Sequence, residues 1–213
     1  MFVRQLRALC PPLLAVAALA APVMAQATAS SNFYGASFGT LFDKNFESFS
    51  TTVNGVGLTI SAVSSGSAPK VAVRWDGIGM SSSALEAGEI NSSLFGSGDA
   101  ILLSFSQDVK LNSLVLSGWD VGLFGGAIDQ AYLTSLGITH HLGGAVTPFL
   151  SPLSTFTLGQ LPASRFYVLG AQGSLSSFRL AGLSVSAVPE LHSSAMLALG
   201  LGGIALLRRR QTR

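Results

Sequence analysis

Between residues 26 and 187 apolar and polar side chains alternate in short runs, and Gly, Ser, Asn or Pro interrupts each run. A repeat of two is that of a β-strand, whose successive side chains leave opposite faces, so this region is expected to be all-β. Strands are predicted over 56–60, 71–75, 101–105, 114–116, 138–140, 156–158, 165–169 and 178–185. In the last of these Ser184 and Ser186 alternate with Leu183 and Val185, giving one wet face and one buried face. About eight such strands separated by turns favour a two-sheet, jelly-roll-like sandwich. No helix-period stripe of useful length occurs, and residues 128–136 are the one place where a short helix or turn fits.

The two ends break this pattern. Residues 1–25 have the three parts of a secretory signal peptide: a basic start with Arg4 and Arg7, a short apolar run over 13–21, and small residues around a cut expected after Ala25. Pro11 and Pro12 would disrupt a buried helix there, and the run is too short for a membrane span of ~20 residues. The Sec translocon and a signal peptidase are the partners this start calls for. At the other end Val188, Pro189 and Glu190 precede a polar stretch over 191–194, an apolar run over 195–207, and the cluster Arg208, Arg209 and Arg210. In lipid such a run is helical because every backbone group must be satisfied within it. The arginines would halt export with the last residues on the cytoplasmic side. The thirteen apolar residues at ~1.5 Å each reach about 20 Å, short of a ~30 Å hydrocarbon core. A single transmembrane helix over 191–207 is therefore a marginal anchor, suited to temporary retention.

This order of Val-Pro-Glu, short Gly/Ala/Leu helix and terminal arginines resembles the PEP-CTERM sorting signal, a tail also known as the C-terminal domain of ice-binding proteins. The resemblance covers residues 188–213, with a motif at 188–190, a helix at 191–207 and a basic end at 208–213. It implies an exported Gram-negative protein, held in the inner membrane, processed by an exosortase and working beside exopolysaccharide production. Leu191 stands where the family signature has its second Pro. A looser resemblance, to a module recurring in such exported proteins, runs through Trp75, Asp76, Gly77, Ile78 and Gly79, then 86–91, then 101–108. There a Gly-rich turn and an acidic loop precede a strand ending in Phe105 and Ser106.

Charge sharpens the division into leader, domain and tail. The formal net charge of +2 suggests an anionic partner, but six of the 12 basic residues sit in the two ends. All 10 acidic residues lie between Asp43 and Glu190, against six basic ones, so the middle is mildly acidic with no Lys/Arg cluster. That excludes the electrostatic footprint of a nucleic-acid-binding domain. The sole cysteine, Cys10, falls in the leader with the apolar stretch after it instead of before it, which argues against a lipoprotein. The domain then has neither a disulfide nor a thiolate metal site.

Few residues carry a signal for chemistry. Gly35, Ser37 and Gly39 spell a nucleophile elbow, but that device needs a buried strand before the Ser and a helix after it, and here only Ser- and Gly-rich sequence surrounds it. His140 and His141 are adjacent, so on a strand they point to opposite faces and cannot share a metal. Glu86 and Glu89 are the nearest thing to paired glycosidase carboxylates, and nothing in their spacing fixes the ~5–10 Å separation required. Gly122 to Gly126 lacks the strand–loop–helix context of a phosphate loop. Asp76, Glu89, Asn91 and Asp99 are hard oxygen donors in predicted loops, the kind of set that holds calcium in sandwich carbohydrate-binding modules, although such residues also form ordinary turns. Trp75 and Trp119 each precede an Asp, and an exposed indole can stack on a sugar, whereas a buried one belongs to the core.

Together these readings give a non-enzymatic surface or matrix protein: exported, anchored for a time in the inner membrane, released to the cell surface or beyond, and acting in biofilm or exopolysaccharide in a structural role or by binding polysaccharide or other matrix components. A secreted glycan hydrolase is the alternative from another class. Ice binding is a further one, disfavoured because regular Thr-x-Thr ladders are absent.

Overall fold

The computed structural model describes residues 28–33, 44–53, 55–63, 68–81, 88–92, 98–119, 129–143, 153–159, 161–173 and 175–188. The expected signal peptide with its cut after Ala25, Pro189 and Glu190 of the sorting motif, the helix over 191–207, and Arg208, Arg209 and Arg210 lie outside the described residues. So do Glu86, Gly35, Ser37 and Gly39.

Within them the chain is all-β: β1 (Thr28–Asn32), β2 (Lys44–Phe46), β3 (Ser48–Val53), β4 (Val56–Val63), β5 (Lys70–Arg74), β6 (Gly77–Ser81), β7 (Ile90–Asn91), β8 (Ala100–Ser117), β9 (Gln130–Ser135), β10 (Ile138–Gly143), β11 (Leu153–Thr157), β12 (Ser164–Gln172) and β13 (Ser177–Ala187). Every pairing is antiparallel. Residues 130–135, where a short helix or turn was allowed, form a strand, and the turn falls at Leu136 and Gly137. The alternation of buried Ala131, Leu133 and Ser135 with half-buried Tyr132 and Thr134 explains why: the period is two.

One strand organises the rest. The runs expected at 101–105 and 114–116 are two ends of the 18-residue β8. Its first part lies between β4, with Thr59 opposite Ser104, and β12, with Phe166 opposite the same serine. Its second part lies between β11, with Phe156 opposite Leu114, and β13, with Leu183 opposite Leu114. One branch of pairing therefore runs β3–β4–β8–β12–β9–β10. The other runs β11–β8–β13, and β13 then carries β1, β7 and the β6–β5–β2 ribbon along its far side. Contact between Phe33, after β1, and Phe49 of β3, edge to face at 6.4 Å, joins the branches into a sandwich-like whole.

Two devices let β8 serve both branches. Asn112 is an extra residue: Ser113 faces Ser184 and Leu111 faces Val185, with nothing opposite Asn112. This bulge shifts the alternation, so that Val109 and Leu111 before it and Leu114 and Leu116 after it are all fully buried. The Asn112 carbonyl accepts from the Leu158 amide at 2.7 Å, and its side-chain amide donates to Ser186 Oγ at 2.8 Å. The second device is Tyr167, fully buried on β12, whose hydroxyl shares its proton between the Val109 carbonyl at 2.7 Å and the Pro162 carbonyl at 2.9 Å. It ties the point where β8 leaves β12 to the loop before that strand.

Tyr167→Phe is expected to cost about 1–3 kcal/mol, because both carbonyls lose a buried donor, and chemical denaturation would measure it. Burial, chiefly, pushes the Tyr167 phenol above its ordinary 10.0, with the Asp108 carboxylate pushing the same way. A raised folded pKa means that the tyrosine ionises first in the unfolded chain. Its contribution is then intact below pH 10 and lost as pH rises through the folded value. The wild-type melting temperature should fall more steeply above pH 10 than that of Tyr167→Phe; parallel alkaline profiles would refute this.

Candidate functional site

The acidic loop residues and the two tryptophans separate in space. Trp75 and Asp76 form the two-residue turn of the β5–β6 hairpin, in which Arg74 faces Gly77. Trp75 is 66% exposed there, whereas Trp119 is 8% exposed. The Trp119 ring packs 4.9 Å from Phe156 and 5.4 Å from Phe178, so it is a core residue and presents no stacking face.

Asp76 and Glu89 meet, but on a cation supplied by the chain. Arg179 of β13 donates from Nη1 to Asp76 Oδ2 at 2.6 Å, from Nη2 to Glu89 Oε1 at 3.0 Å, and from Nε to the Gly88 carbonyl at 3.1 Å. Ser177 Oγ donates to the other oxygen of Glu89. The planar guanidinium suits this three-way bridge, which pins the loop before β7 onto β13. Two glycines admit the loop: a Cβ at Gly79 would lie 2.2 Å from the Gly88 carbonyl oxygen, and one at Gly88 would lie 2.7 Å from Ala72 Cβ. Asn91 and Asp99 pair with each other, the Asp99 amide donating to the Asn91 carbonyl at 2.7 Å and the Asn91 amide to Asp99 Oδ2 at 3.4 Å. Asp76, Glu89 and Asp99 do not gather round a point that could hold a metal ion. Arg179 takes the place between Asp76 and Glu89 that a cation would occupy, its one positive charge set against their two negative ones.

The larger feature is the outer face of the β3–β4–β8–β12–β9–β10 branch. Residues directly opposite one another share a face, so the registers define its rows. One row is Ser50, Thr59, Ser104 and Phe166; the next is Ser48, Ser61, Leu102, Val168, Thr134 and Thr139. Hydroxyls pair along them, Ser50 with Thr59 at 3.0 Å and Thr134 with Thr139 at 2.9 Å. A third row sets His141, Tyr132 and Gly170 side by side. The Tyr132 ring lies over Gly170, with ring atoms only 2.4 Å from where a Cβ would stand, so only glycine allows this seat. Across β9, His141 Nδ1 and Gln172 Oε1 meet at 2.7 Å, and Gln130 faces Gln172 in the adjoining row.

Neither β3, β4, β9, β10, nor residues 100–106 of β8 and 166–172 of β12, contains a single Asp, Glu, Lys or Arg. The charged residues of the described chain lie elsewhere. Compared with protein-family models and with curated proteins, the chain matches none. Its geometry therefore carries the functional reading alone. An uncharged face offering a flat ring, an imidazole, two amides and rows of hydroxyls can stack on and hydrogen-bond to a neutral polyhydroxy ligand without desolvating charge. Tyr132 escaped the sequence reading because it lay in the one segment allowed to be helical; the period-two run 130–135 was the signal that could have found it.

Proposed function

We propose that this chain is an exported, membrane-sorted surface or matrix protein whose folded part is a two-sheet, jelly-roll-like sandwich that binds neutral polysaccharide through Tyr132, His141, Gln172 and Gln130. The observation that carries the binding role is the absence of Asp, Glu, Lys and Arg from β3, β4, β9, β10 and the stretches 100–106 and 166–172 between them, which present hydroxyl rows and a ring seated on glycine. The sharing of β8 between two branches supports the two-layer reading, since a strand that switches sheets at a bulge is how sandwich corners are made. The leader over 1–25 and the arginine-ended tail over 188–213 support export, a Sec route, exosortase-type sorting and transient residence in the inner membrane.

Retention of the full chain on an insoluble neutral glucan, compared with an anionic uronate polymer, tests the binding role. Binding to the neutral polymer is expected. Tyr132→Ala should weaken it about tenfold, the ~1.4 kcal/mol that a stacked ring supplies. Gly170→Ala should do the same while leaving the tyrosine in place, because the methyl evicts the ring. Equal retention of both variants and wild type would remove the assignment. Release of reducing sugar would replace it with a hydrolase.

A further inference from the structure

Seven large apolar side chains are exposed among the described residues, and three of them gather at one end: Leu136 at 71%, Ile138 at 52% and Phe166 at 58%. Leu136 and Gly137 form the β9–β10 turn with φ of 49° and 77°, a left-handed pair usually given to Asn-Gly. A leucine there costs about 1 kcal/mol of backbone strain and leaves an apolar side chain in water. Ser135 Oγ donates to the Phe166 carbonyl at 3.0 Å, which sets Phe166 beside this turn.

The same end is where the described chain leaves the domain. Val109 has Ser164 of β12 on one side and Ala187 of β13 on the other, and the Val188 amide donates to the Asp108 carbonyl at 3.0 Å. Strands are ~4.8 Å apart and rise ~3.3 Å per residue, so Phe166 stands within about 20 Å of that exit. Only six residues, 189–194, separate Val188 from the apolar run beginning at Ala195. Fully extended they span about 20 Å. Arg165, 3.3 Å from Asp108 and next to Phe166 in the chain, and exposed Lys110, next to Val109, put basic groups at the same end.

Resting on the reading of 191–207 as a bilayer segment, we propose that Leu136, Ile138 and Phe166 form a membrane-contact tip that dips into the lipid interface while the tail holds the chain. The tether is too short to let this end drift far from the surface. The row of Gly170, Tyr132 and His141, four residues along β12 from Phe166, then lies away from the membrane.

Cys10 is the sole cysteine, so the full chain with Cys10→Ser accepts one label at a time. An environment-sensitive fluorophore would be placed at Leu136→Cys, at Phe166→Cys, and at Val63→Cys, which is 44% exposed at the far end of β4. In phosphatidylethanolamine–phosphatidylglycerol vesicles the first two labels should be blue-shifted, several-fold brighter and quenched by lipid-borne quencher, with the Val63 label unchanged from water. Water-like emission at both tip positions in a chain that floats with the vesicles would overturn the tip alone. A chain that fails to float would overturn the tip and the bilayer segment together.

Discussion

Deleting Asn112 will straighten β8 at a cost of roughly 2–4 kcal/mol, although the residue is polar, only partly buried and one of 18 in its strand. With the extra residue gone, Leu111, Ser113 and Leu114 alternate regularly opposite Val185, Ser184 and Leu183, so Val109, Leu111, Leu114 and Leu116 keep the same buried face. What is lost is the bend at which β8 changes partners, together with the acceptor of the Leu158 amide and the donor to Ser186. Asn112→Ala keeps the residue count and the bulge and should cost only about 1 kcal/mol, the net value of its side-chain bond to Ser186. Circular dichroism and a denaturant melt on the pair decide the matter. A deletion variant that melts together with Asn112→Ala would show that β8 does not need its bulge.

Arg179→Met is expected to be the most damaging single substitution. The Arg179 side chain is only 12% exposed, and Asp76 and Glu89 are 16% and 29% exposed. Removing the cation leaves two carboxylates facing each other with little water, a loss of about 3–5 kcal/mol. For a domain of this size that is a fall of roughly 10–15 °C in Tm. Adding Asp76→Asn and Glu89→Gln to Arg179→Met should restore part of the loss, since orphaned charge and not missing volume is then the main defect. If the triple variant is no better than the single one, packing by the arginine stem dominates instead.

The long strands were legible because their interior positions repeat cleanly: 56–60, 101–105, 165–169 and 178–185 each became part of a strand at least as long as expected. Residues 106–113 hid the continuity of β8, since Ser106, Asp108 and Lys110 interrupt the apolar run although they are the outward side of a strand changing partners. β1, β2 and β7 were illegible for another reason. Sequences such as Thr-Ala-Ser-Ser-Asn have no apolar period of their own and become strands only by docking on β13 or β5. At the acidic turn, Asp76 and Glu89 read as two of four oxygen donors with Asn91 and Asp99, but the cation between them is an arginine about a hundred residues from Asp76 in sequence. Composition cannot reveal such a partner. The uncharged face was open to a residue count along each strand, yet the count has meaning only once the strand order is known.

The earliest and latest of the described strands, β1 and β13, are neighbours, and β13 also seats β6, β7 and β8. A polypeptide emerging from its amino end therefore waits for residues 177–187 before β1, β6 and β7 can dock on β13. Such long-range closure is slow. On the proposed export route, delay of this kind would keep the emerging chain pliable until β13 is out.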